Sequence, residues 1–366
     1  MKTKYAFACF CLSLMLCWQL GAQSTPQESL LVLSKKAHTL AIVDPANLRV
    51  LARVPIGNDP HEVIASTDGR TAYVSNYGFG AYNTLAVVDL VKQQALPSID
   101  LGALRGPHGL AFMGGKVWFT AEAAKAIGRY DPATGKVDWI MGTGQDRTHM
   151  IFVAHDMQSV ITTNVSSATV TIMEKSAMRG PGGLAPGPPP GSPPGLPPGP
   201  PPMSGPGGHP PMGAPGGNWE ETVIPVGRGS EGFDVSPSGK EIWVANAQDG
   251  TVSIIDRATK KVTQTLAANV RGANRLKFTL DGKLVLISSL GGPDLVIYDA
   301  STRKEVKRVE IGHGAAGIVM QPDGTRAYVA CSPDNYVAVI DLKTLTVAGH
   351  IDAGGEPDGL AWAARR

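Results

Sequence analysis

Short apolar segments separated by turn residues recur along most of the chain. One unit starts at His61 and reads "HEVIAS", the turn "TDG", "TAYVSN", a loop, "TLAVVDL" and "ALPSIDLG". Within these segments apolar residues alternate with small or polar ones, or run continuously, as is typical of strands between packed sheets. The Asp-Gly pair favours a tight turn. The pattern predicts four short antiparallel strands per unit.

The unit repeats with a period of about 42 residues. Further copies begin at Arg105, Asp146, Arg228, Arg271 and His313, and a shortened copy begins at Gly354. The step from Asp146 to Arg228 is about two periods long, because a segment is inserted there. Four strands per period of this length describe a propeller blade, so we predict an all-β fold, a seven-bladed β-propeller.

The two ends of the chain are predicted to share one blade. The first blade, "ESLLVLSKKAHTLAIVDPANLRVLARVPIG", lacks an innermost strand, and the C-terminal "PDGLAWA" has the pattern of one. Closing the ring in this way removes the open edges that a linear stack of sheets would leave.

The N-terminus has the pattern of a secretory signal peptide. Residues 1–22 combine two lysines, an apolar run and small residues before Ala22. We expect removal of residues 1–22, with retention as an anchor as the alternative. Residues 23–366 then form a single domain in the periplasm or outside the cell. Cys331 is left as the only cysteine, and its strand pattern predicts a buried thiol.

Charge and composition narrow the range of partners. Loss of Lys2 and Lys4 removes the formal net charge of +2, so no overall field attracts nucleic acid or anionic lipid. No later segment has the length and apolarity of a membrane span. We expect a monomer.

A Pro/Gly-rich insertion at about residues 176–218 interrupts the domain. Its composition predicts a disordered, polyproline II-like segment between the third and fourth strands of blade four. A tolerated surface loop, a tether to a partner or the cell wall, and a copper site at Met203, His209 and Met212 are the alternatives.

The second strand of several units carries a common motif. It reads Tyr73-Val74-Ser75-Asn76, Trp243-Val244-Ala245-Asn246 and Tyr328-Val329-Ala330-Cys331. In this motif the chain resembles the YVTN-type seven-bladed propellers. The resemblance implies a secreted or periplasmic propeller, often without an assigned activity. Similar propellers include phosphogluconolactonase-type hydrolases, streptogramin lyases and the heavy chains of amine dehydrogenases.

Residues that enter the innermost strands should form a ring at one mouth of the central channel. In the aligned units these are His61, His108, His149, Glu231, Asn274, Ala316 and Asp358. Charged residues next to them extend the candidate site: Asp59, Glu62, Arg105, Arg147, Arg228, Arg271, Arg275, His313 and Glu356.

The residue types in this ring fit several kinds of chemistry. Arginines bind carboxylate or phosphate, and histidines act as acid, base or ligand near neutral pH. His61, His108 and His149 could hold a divalent metal, although no cofactor is otherwise expected. Glu62 and Glu231 are candidates for a general base, but no standard catalytic signature is present. Alternatively, the charges neutralise one another around a water-filled channel.

Three functional hypotheses follow. The first is binding, either of a small polar or anionic ligand at the mouth or of a partner protein. The second is a lactonase-like hydrolase or a lyase that uses His and Glu residues of the ring. The third is a structural propeller at the cell surface.

Overall fold

The computed structural model describes residues 24–176 and 219–366. They form seven antiparallel sheets of four strands each, arranged as seven blades. A single short 3-10 helix, Gly78–Gly80, lies within the described ranges. The predicted seven-bladed, all-β fold is confirmed.

The strands follow one another around the ring. Blade 1 contains β1 (Glu28–Ser34), β2 (Thr39–Asp44) and β3 (Arg49–Pro55), and blade 2 contains β4 (Pro60–Ala65), β5 (Thr71–Asn76), β6 (Thr84–Asp89) and β7 (Gln94–Asp100). Blade 3 contains β8 (Pro107–Met113), β9 (Lys116–Ala121), β10 (Ala126–Asp131) and β11 (Lys136–Gly142). Blade 4 contains β12 (Thr148–Val153), β13 (Ser159–Asn164), β14 (Thr169–Lys175) and β15 (Trp219–Pro225). Blade 5 contains β16 (Ser230–Val235), β17 (Glu241–Asn246), β18 (Thr251–Asp256) and β19 (Lys261–Leu266). Blade 6 contains β20 (Ala273–Phe278), β21 (Leu284–Ser289), β22 (Asp294–Asp299) and β23 (Lys304–Glu310). Blade 7 contains β24 (Ala315–Met320), β25 (Arg326–Cys331), β26 (Tyr336–Asp341) and β27 (Thr346–Ile351), and the last strand of the chain is β28 (Pro357–Ala364).

The C-terminal strand closes the ring. Blade 1 has the strand order β28-β1-β2-β3, so β28 is its innermost strand. It pairs antiparallel with β1, and Leu30 lies opposite Trp362. The predicted closure by "PDGLAWA" is therefore confirmed, and neither end of the chain leaves an open innermost strand.

The hydrophobic core lies between the blades. Leu31 and Ile42 of blade 1, for example, pack in one cluster with Val74 and Val88 of blade 2. The second and third strands of most blades face a neighbour on both sides, which explains their continuous apolar runs. Full burial of one such side chain contributes about 1.5–3 kcal/mol.

Hydroxyl groups in the second strands of three blades tie each of these blades to the ring residue of the next one. Thr120 Oγ1 donates to the carbonyl of His149 at 2.6 Å. Thr163 Oγ1 donates in the same way to Glu231, and Ser288 Oγ to Ala316, both at 2.7 Å. These bonds fix the height of the innermost strands relative to one another, which positions the residues at the mouth.

The segment that contains the Pro/Gly-rich insertion connects β14 and β15 of blade 4. Strand direction alternates within a blade, so this hairpin opens on the face opposite the ring residues. Residues 177–218 themselves, including Met203, His209 and Met212, lie outside the described residues, as does the predicted signal peptide.

No helix in the described ranges is long and apolar enough to cross a membrane. Cys331 is a buried free thiol, as predicted.

Candidate ligand site at the channel mouth

The predicted ring exists at one mouth of the channel. Each of its members is the second residue of an innermost strand, as His61 is of β4 and Asp358 is of β28. All seven line a cavity of about 220 Å³, which we call the cup. The rest of its wall is formed by Lys35, Tyr77, Phe79, Arg147, Arg275, Leu290 and Ser332.

The residue two positions before each ring residue has a left-handed backbone. Four blades place glycine there: Gly106, Gly229, Gly272 and Gly314. The other three place Asp59, Arg147 and Glu356 there, with φ of 47°, 54° and 51°. A side chain in this conformation costs about 1–2 kcal/mol, somewhat less for Asp.

This backbone position explains which of the predicted charged residues reach the cup. Arg147 occupies the left-handed position and lines the cavity. Arg105, Arg228, Arg271 and His313 precede that position by one residue, and none of them lines the cup.

Each of these four residues has other surroundings. Arg105 donates to the carbonyl of Ala81, and Arg228 pairs with Asp249 at 2.8 Å. His313 pairs with Asp334 at 3.3 Å. Arg271 lines a separate depression.

Sequence reasoning missed a second ring, made of the residues directly after the second strands. They are Lys35, Tyr77, Glu122, Val165, Ala247, Leu290 and Ser332. The backbone N–H of each donates to the carbonyl of the left-handed residue of its own blade, at 2.8–3.2 Å. Their positions in the sequence could have identified these residues, because each of them directly follows a second strand. Tyr77, for example, directly follows the motif Tyr73-Val74-Ser75-Asn76.

Three histidines on consecutive blades lie in contact. The ring centroids of His61 and His108 are 5.0 Å apart, and those of His108 and His149 are 3.9 Å apart. Tyr77 packs edge-on against His61 and His108. Burial, reinforced by the positive charge of His149 and nearby groups, holds the pKa of His108 well below its ordinary value of 6.5. His108 is therefore neutral.

His149 lies between two carboxylates. Its Nδ1 contacts Glu122 Oε1. Its Nε2 lies 2.8 Å from Glu231 Oε2, and these two groups form an ion pair whose geometry is not that of a hydrogen bond. Burial alone would lower the pKa of His149, but the two carboxylates outweigh burial and raise it. Burial likewise opposes ionisation of Glu231, yet His149 and Arg147 lower its pKa to about 2.

Arg147 covers this group from the cup side. Its Nε lies 3.5 Å from Glu122 Oε2, and its Nη1 lies 3.8 Å from Glu231 Oε1. These separations are long for hydrogen bonds, and 43% of the side chain is exposed. Part of the guanidinium therefore remains available to a ligand.

On the opposite side of the mouth, Lys35 and His61 form a second charged group. Lys35 Nζ lies 3.0 Å from His61 Nε2 and 3.2 Å from Asp358 Oδ2. Asp59 Oδ1 is 3.1 Å from His61 Nε2, and Asp358 Oδ2 is 3.4 Å from His61 Nδ1. Both ring nitrogens of His61 thus have partners.

An ion pair crosses the channel one residue further along the innermost strands. Arg275 of β20 donates to Glu62 of β4, and its Nη1 also lies 3.1 Å from Asn274 Oδ1. Blades 6 and 2 are not neighbours, so the pair spans the central space beneath the ring. Glu62, predicted as a candidate base, is engaged in this pair.

The rim of the cup is apolar in two places. Phe79 is 87% exposed and Leu290 is 53% exposed, and both line the cavity. They belong to blades 2 and 6. A ligand in the cup would therefore meet charged groups inside and apolar groups at the entrance.

A larger depression of about 710 Å³ lies between the turns of blades 6 and 7. Its carboxylates are Asp281, Asp299 and Asp323, and each accepts a hydrogen bond from a backbone N–H of its own turn. These groups have hydrogen-bond partners within their own turns, so we place the candidate site at the cup.

Comparisons with known proteins agree with the fold. Residues 214–324 match the family described as "Cytochrome D1 heme domain". No curated protein sequence matches this chain.

Solved structures are similar over most of the chain. A protein of unknown function from Desulfotomaculum acetoxidans has a TM-score of 0.68 and 12% identity, and the match covers 92% of this chain and 99% of that one. A candidate 6-phosphogluconolactonase from Bacteroides fragilis has a TM-score of 0.67 and 14% identity, with coverage of 93% and 99%. The dihydro-heme d1 dehydrogenase NirN, solved in complex with DHE, has a TM-score of 0.60 and 13% identity, with coverage of 90% and 64%.

The residues of the cup do not fit a haem. The matched residues 214–324 contain one histidine, His313, and its side chain is 69% exposed outside the cup. The stacked histidines His61, His108 and His149 all lie outside the matched range. Moreover, a cavity of about 220 Å³ is smaller than the roughly 300–1,000 Å³ that drug-sized ligands occupy. The comparisons thus show that this chain is a seven-bladed β-propeller similar to haem d1 and lactonase-like propellers.

Proposed function

We propose that this propeller is a binding protein that takes a small organic anion into the cup. The observation that carries the proposal is the position of Arg147. Its side chain occupies a left-handed backbone position where four other blades have glycine, and it points into the cavity. The ion pairs of Arg147 with Glu122 and Glu231 are 3.5 and 3.8 Å long, so they leave part of its charge for a ligand.

The charges of the cup favour an anion. The carboxylates of Glu62, Glu122 and Glu231 already contact Arg275 or His149. Lys35 is likewise paired, since its Nζ lies 3.2 Å from Asp358 Oδ2. Arg147, in contrast, makes only long ion pairs and keeps 43% of its side chain exposed. A partly exposed guanidinium that faces the cavity suits a carboxylate, which Arg binds through two parallel hydrogen bonds.

The size and rim of the cup define the rest of the ligand. A volume of about 220 Å³ equals about seven water molecules in liquid volume. Phe79 and Leu290 offer apolar surface at the entrance. A short carboxylate with a small apolar body therefore fits the cup best.

The test is thermal unfolding with lactate, succinate, benzoate and inorganic phosphate, all in the presence of EDTA. A ligand that binds only the folded state raises the unfolding midpoint. We expect a rise for at least one carboxylate, its loss in Arg147→Gln, and its retention in the control Arg228→Gln. A rise that survives Arg147→Gln, or no rise with any of the four anions, would refute the proposal.

A lactonase-like hydrolysis is the second candidate function. It is favoured by His108, a neutral imidazole on the cup wall whose Nδ1 has no hydrogen-bond partner among the described residues. Such a nitrogen can accept a proton from an attacking water. Turnover of small sugar lactones that His108→Ala abolishes, with binding retained, would establish this function. No turnover above the uncatalysed rate would exclude it.

A further inference from the structure

Three buried side chains beneath the cup bring metal-binding atoms together. One nitrogen of His108, one carboxylate oxygen of Glu122 and one nitrogen of His149 lie within 4.8 Å of one another. His108 and His149 enter from neighbouring innermost strands, and Glu122 follows β9. All three side chains are at least nine-tenths buried.

The hydrogen bonding of this cluster is incomplete. His108 Nδ1 is buried without a hydrogen-bond partner among the described residues. His149 Nε2 is also buried, and Glu231 lies beside it without hydrogen-bond alignment. A buried imidazole nitrogen without a partner calls for an explanation, and a bound ion is one of the few available.

We propose that His108, Glu122 and His149 bind a divalent transition-metal ion of the Zn²⁺ class. Two histidines and one glutamate form a known set of protein ligands for Zn²⁺ that leaves one position open. His108 and His149 also line the cup, so the open position would face the cavity.

Neighbouring groups would support the metal ligands. Tyr77 donates its hydroxyl to Glu122 Oε2 at 2.5 Å. Glu122 Oε1 contacts His149 Nδ1, so a bound metal would take the place of the proton between these two atoms. Glu231 lies against His149, and second partners of this kind fix the orientation of a ligating imidazole. Glu122 and Glu231 also offset the added positive charge.

His61, the third histidine of the predicted metal set, is excluded from the proposed site. Its two ring nitrogens already contact Asp59, Lys35 and Asp358. The structure thus replaces His61 by Glu122 in the ligand set. It also makes His61 a matched control, because His61 lies in the same stack of imidazoles.

The inference is tested by titrating chelator-stripped protein without residues 1–22, which removes Cys9, Cys11 and Cys17 as competing ligands, with Zn²⁺ in a calorimeter and with Co²⁺ for its visible spectrum. All proteins carry His209→Ala, so that ions bound by the Pro/Gly-rich segment do not contribute. We expect one equivalent of Zn²⁺, an affinity at least about 100-fold lower in Glu122→Gln and His108→Ala, and a change of no more than a few-fold in His61→Asn.

Glu122→Gln keeps the size of the side chain and an oxygen for Tyr77, so it tests the ligand role even where His108→Ala disturbs folding. Zn²⁺ affinity that is the same in wild type and Glu122→Gln, or no Zn²⁺ binding by wild type, would overturn the inference. The metal could provide a second partner for the anion, and only this step rests on the proposed function. Anion binding is measured in EDTA and Zn²⁺ binding is measured without anion. A negative result in one of these tests therefore leaves the other proposal unaffected.

Discussion

Arg275 of blade 6 donates to Glu62 of blade 2 across the central channel, over a sequence separation of 213 residues. Their side chains are 8% and 12% exposed. The pair connects opposite sides of the ring directly beneath the cup. It therefore contributes both to the stability of the ring and to the shape of the site.

Breaking this pair should destabilise the fold. Arg275→Met leaves Glu62 as a buried, unpaired carboxylate, and we expect the free energy of unfolding to fall by about 3–5 kcal/mol. The double change Arg275→Met, Glu62→Leu removes the orphaned charge and should recover most of the loss. Urea unfolding followed by tryptophan fluorescence measures both values.

The matched control is Lys283→Met, which breaks an exposed pair with Asp281. It should cost less than about 1 kcal/mol. The interpretation fails if Arg275→Met is as stable as wild type, or if the double variant is no more stable than the single one.

The left-handed positions predict stability changes of opposite sign. Glu356→Gly relieves a side chain at φ 51° and should raise the free energy of unfolding by about 1 kcal/mol. Gly229→Ala places a side chain at φ 72° and should lower it by about 1–2 kcal/mol. Chemical denaturation of both variants checks the signs, and a stabilising Gly229→Ala would contradict the account.

The pH dependence of stability follows from Glu231 and His149. The pKa of Glu231 falls from 4.5 to about 2 on folding, so its contribution is present above pH 4.5 and is lost as the pH falls toward 2. It amounts to no more than about 3 kcal/mol. The pKa of His149 rises above 6.5 on folding, so its contribution is complete below pH 6.5 and is lost at higher pH.

The lowered pKa of His108 adds a third contribution, which costs stability as the pH falls below 6.5. The three groups together predict greatest stability near pH 6.5 in EDTA. Urea midpoints measured across pH 2–9 test this, with His149→Gln expected to flatten the alkaline side. The exposed Glu305→Gln should leave the profile unchanged. A wild-type midpoint that rises steadily from pH 6 to 8 would show that His149 is not stabilised as an imidazolium.

Cys331 should be unreactive in the folded protein. Its side chain is fully buried, and burial raises the pKa of its thiol to about 12. The thiolate is the reactive form, so an aromatic disulfide reagent at pH 8 should modify Cys331 only after unfolding. The protein without residues 1–22 carries this single cysteine. Reaction of the native protein at the rate of a free thiol would disprove the prediction.

Much of the fold was predictable because the repeat specifies it. The period of the repeat, together with the length of the chain, predicts the number of blades. The innermost strand that blade 1 lacks in the sequence predicts that the C-terminal strand closes the ring. The ring from His61 to Asp358 was predictable for the same reason, since equivalent positions in a propeller lie at equal height. These features depend on spacing, which a sequence displays directly.

The rest of the site depends on features that spacing does not show. Arg105 and Arg147 both lie shortly before a ring histidine in the sequence. Arg147 occupies the left-handed position and lines the cup, whereas Arg105 precedes that position by one residue and does not line the cup. Glu122 was missed because its role comes from contacts with His149 and Tyr77 on neighbouring blades. Likewise, the pairing of Arg275 with Glu62 depends on side-chain direction across the channel.

Histidine ring nitrogen spectra give the most direct test of the central claim, that the cup binds a small anion through Arg147. ¹⁵N-labelled protein in EDTA would be titrated with succinate or whichever carboxylate raises the unfolding midpoint. We predict saturable shifts for His61, His108 and His149, none for the exposed His313, and no shifts at all in Arg147→Gln. Signals of the three cup histidines that stay unchanged at saturating anion, or that shift equally in Arg147→Gln, would contradict the account.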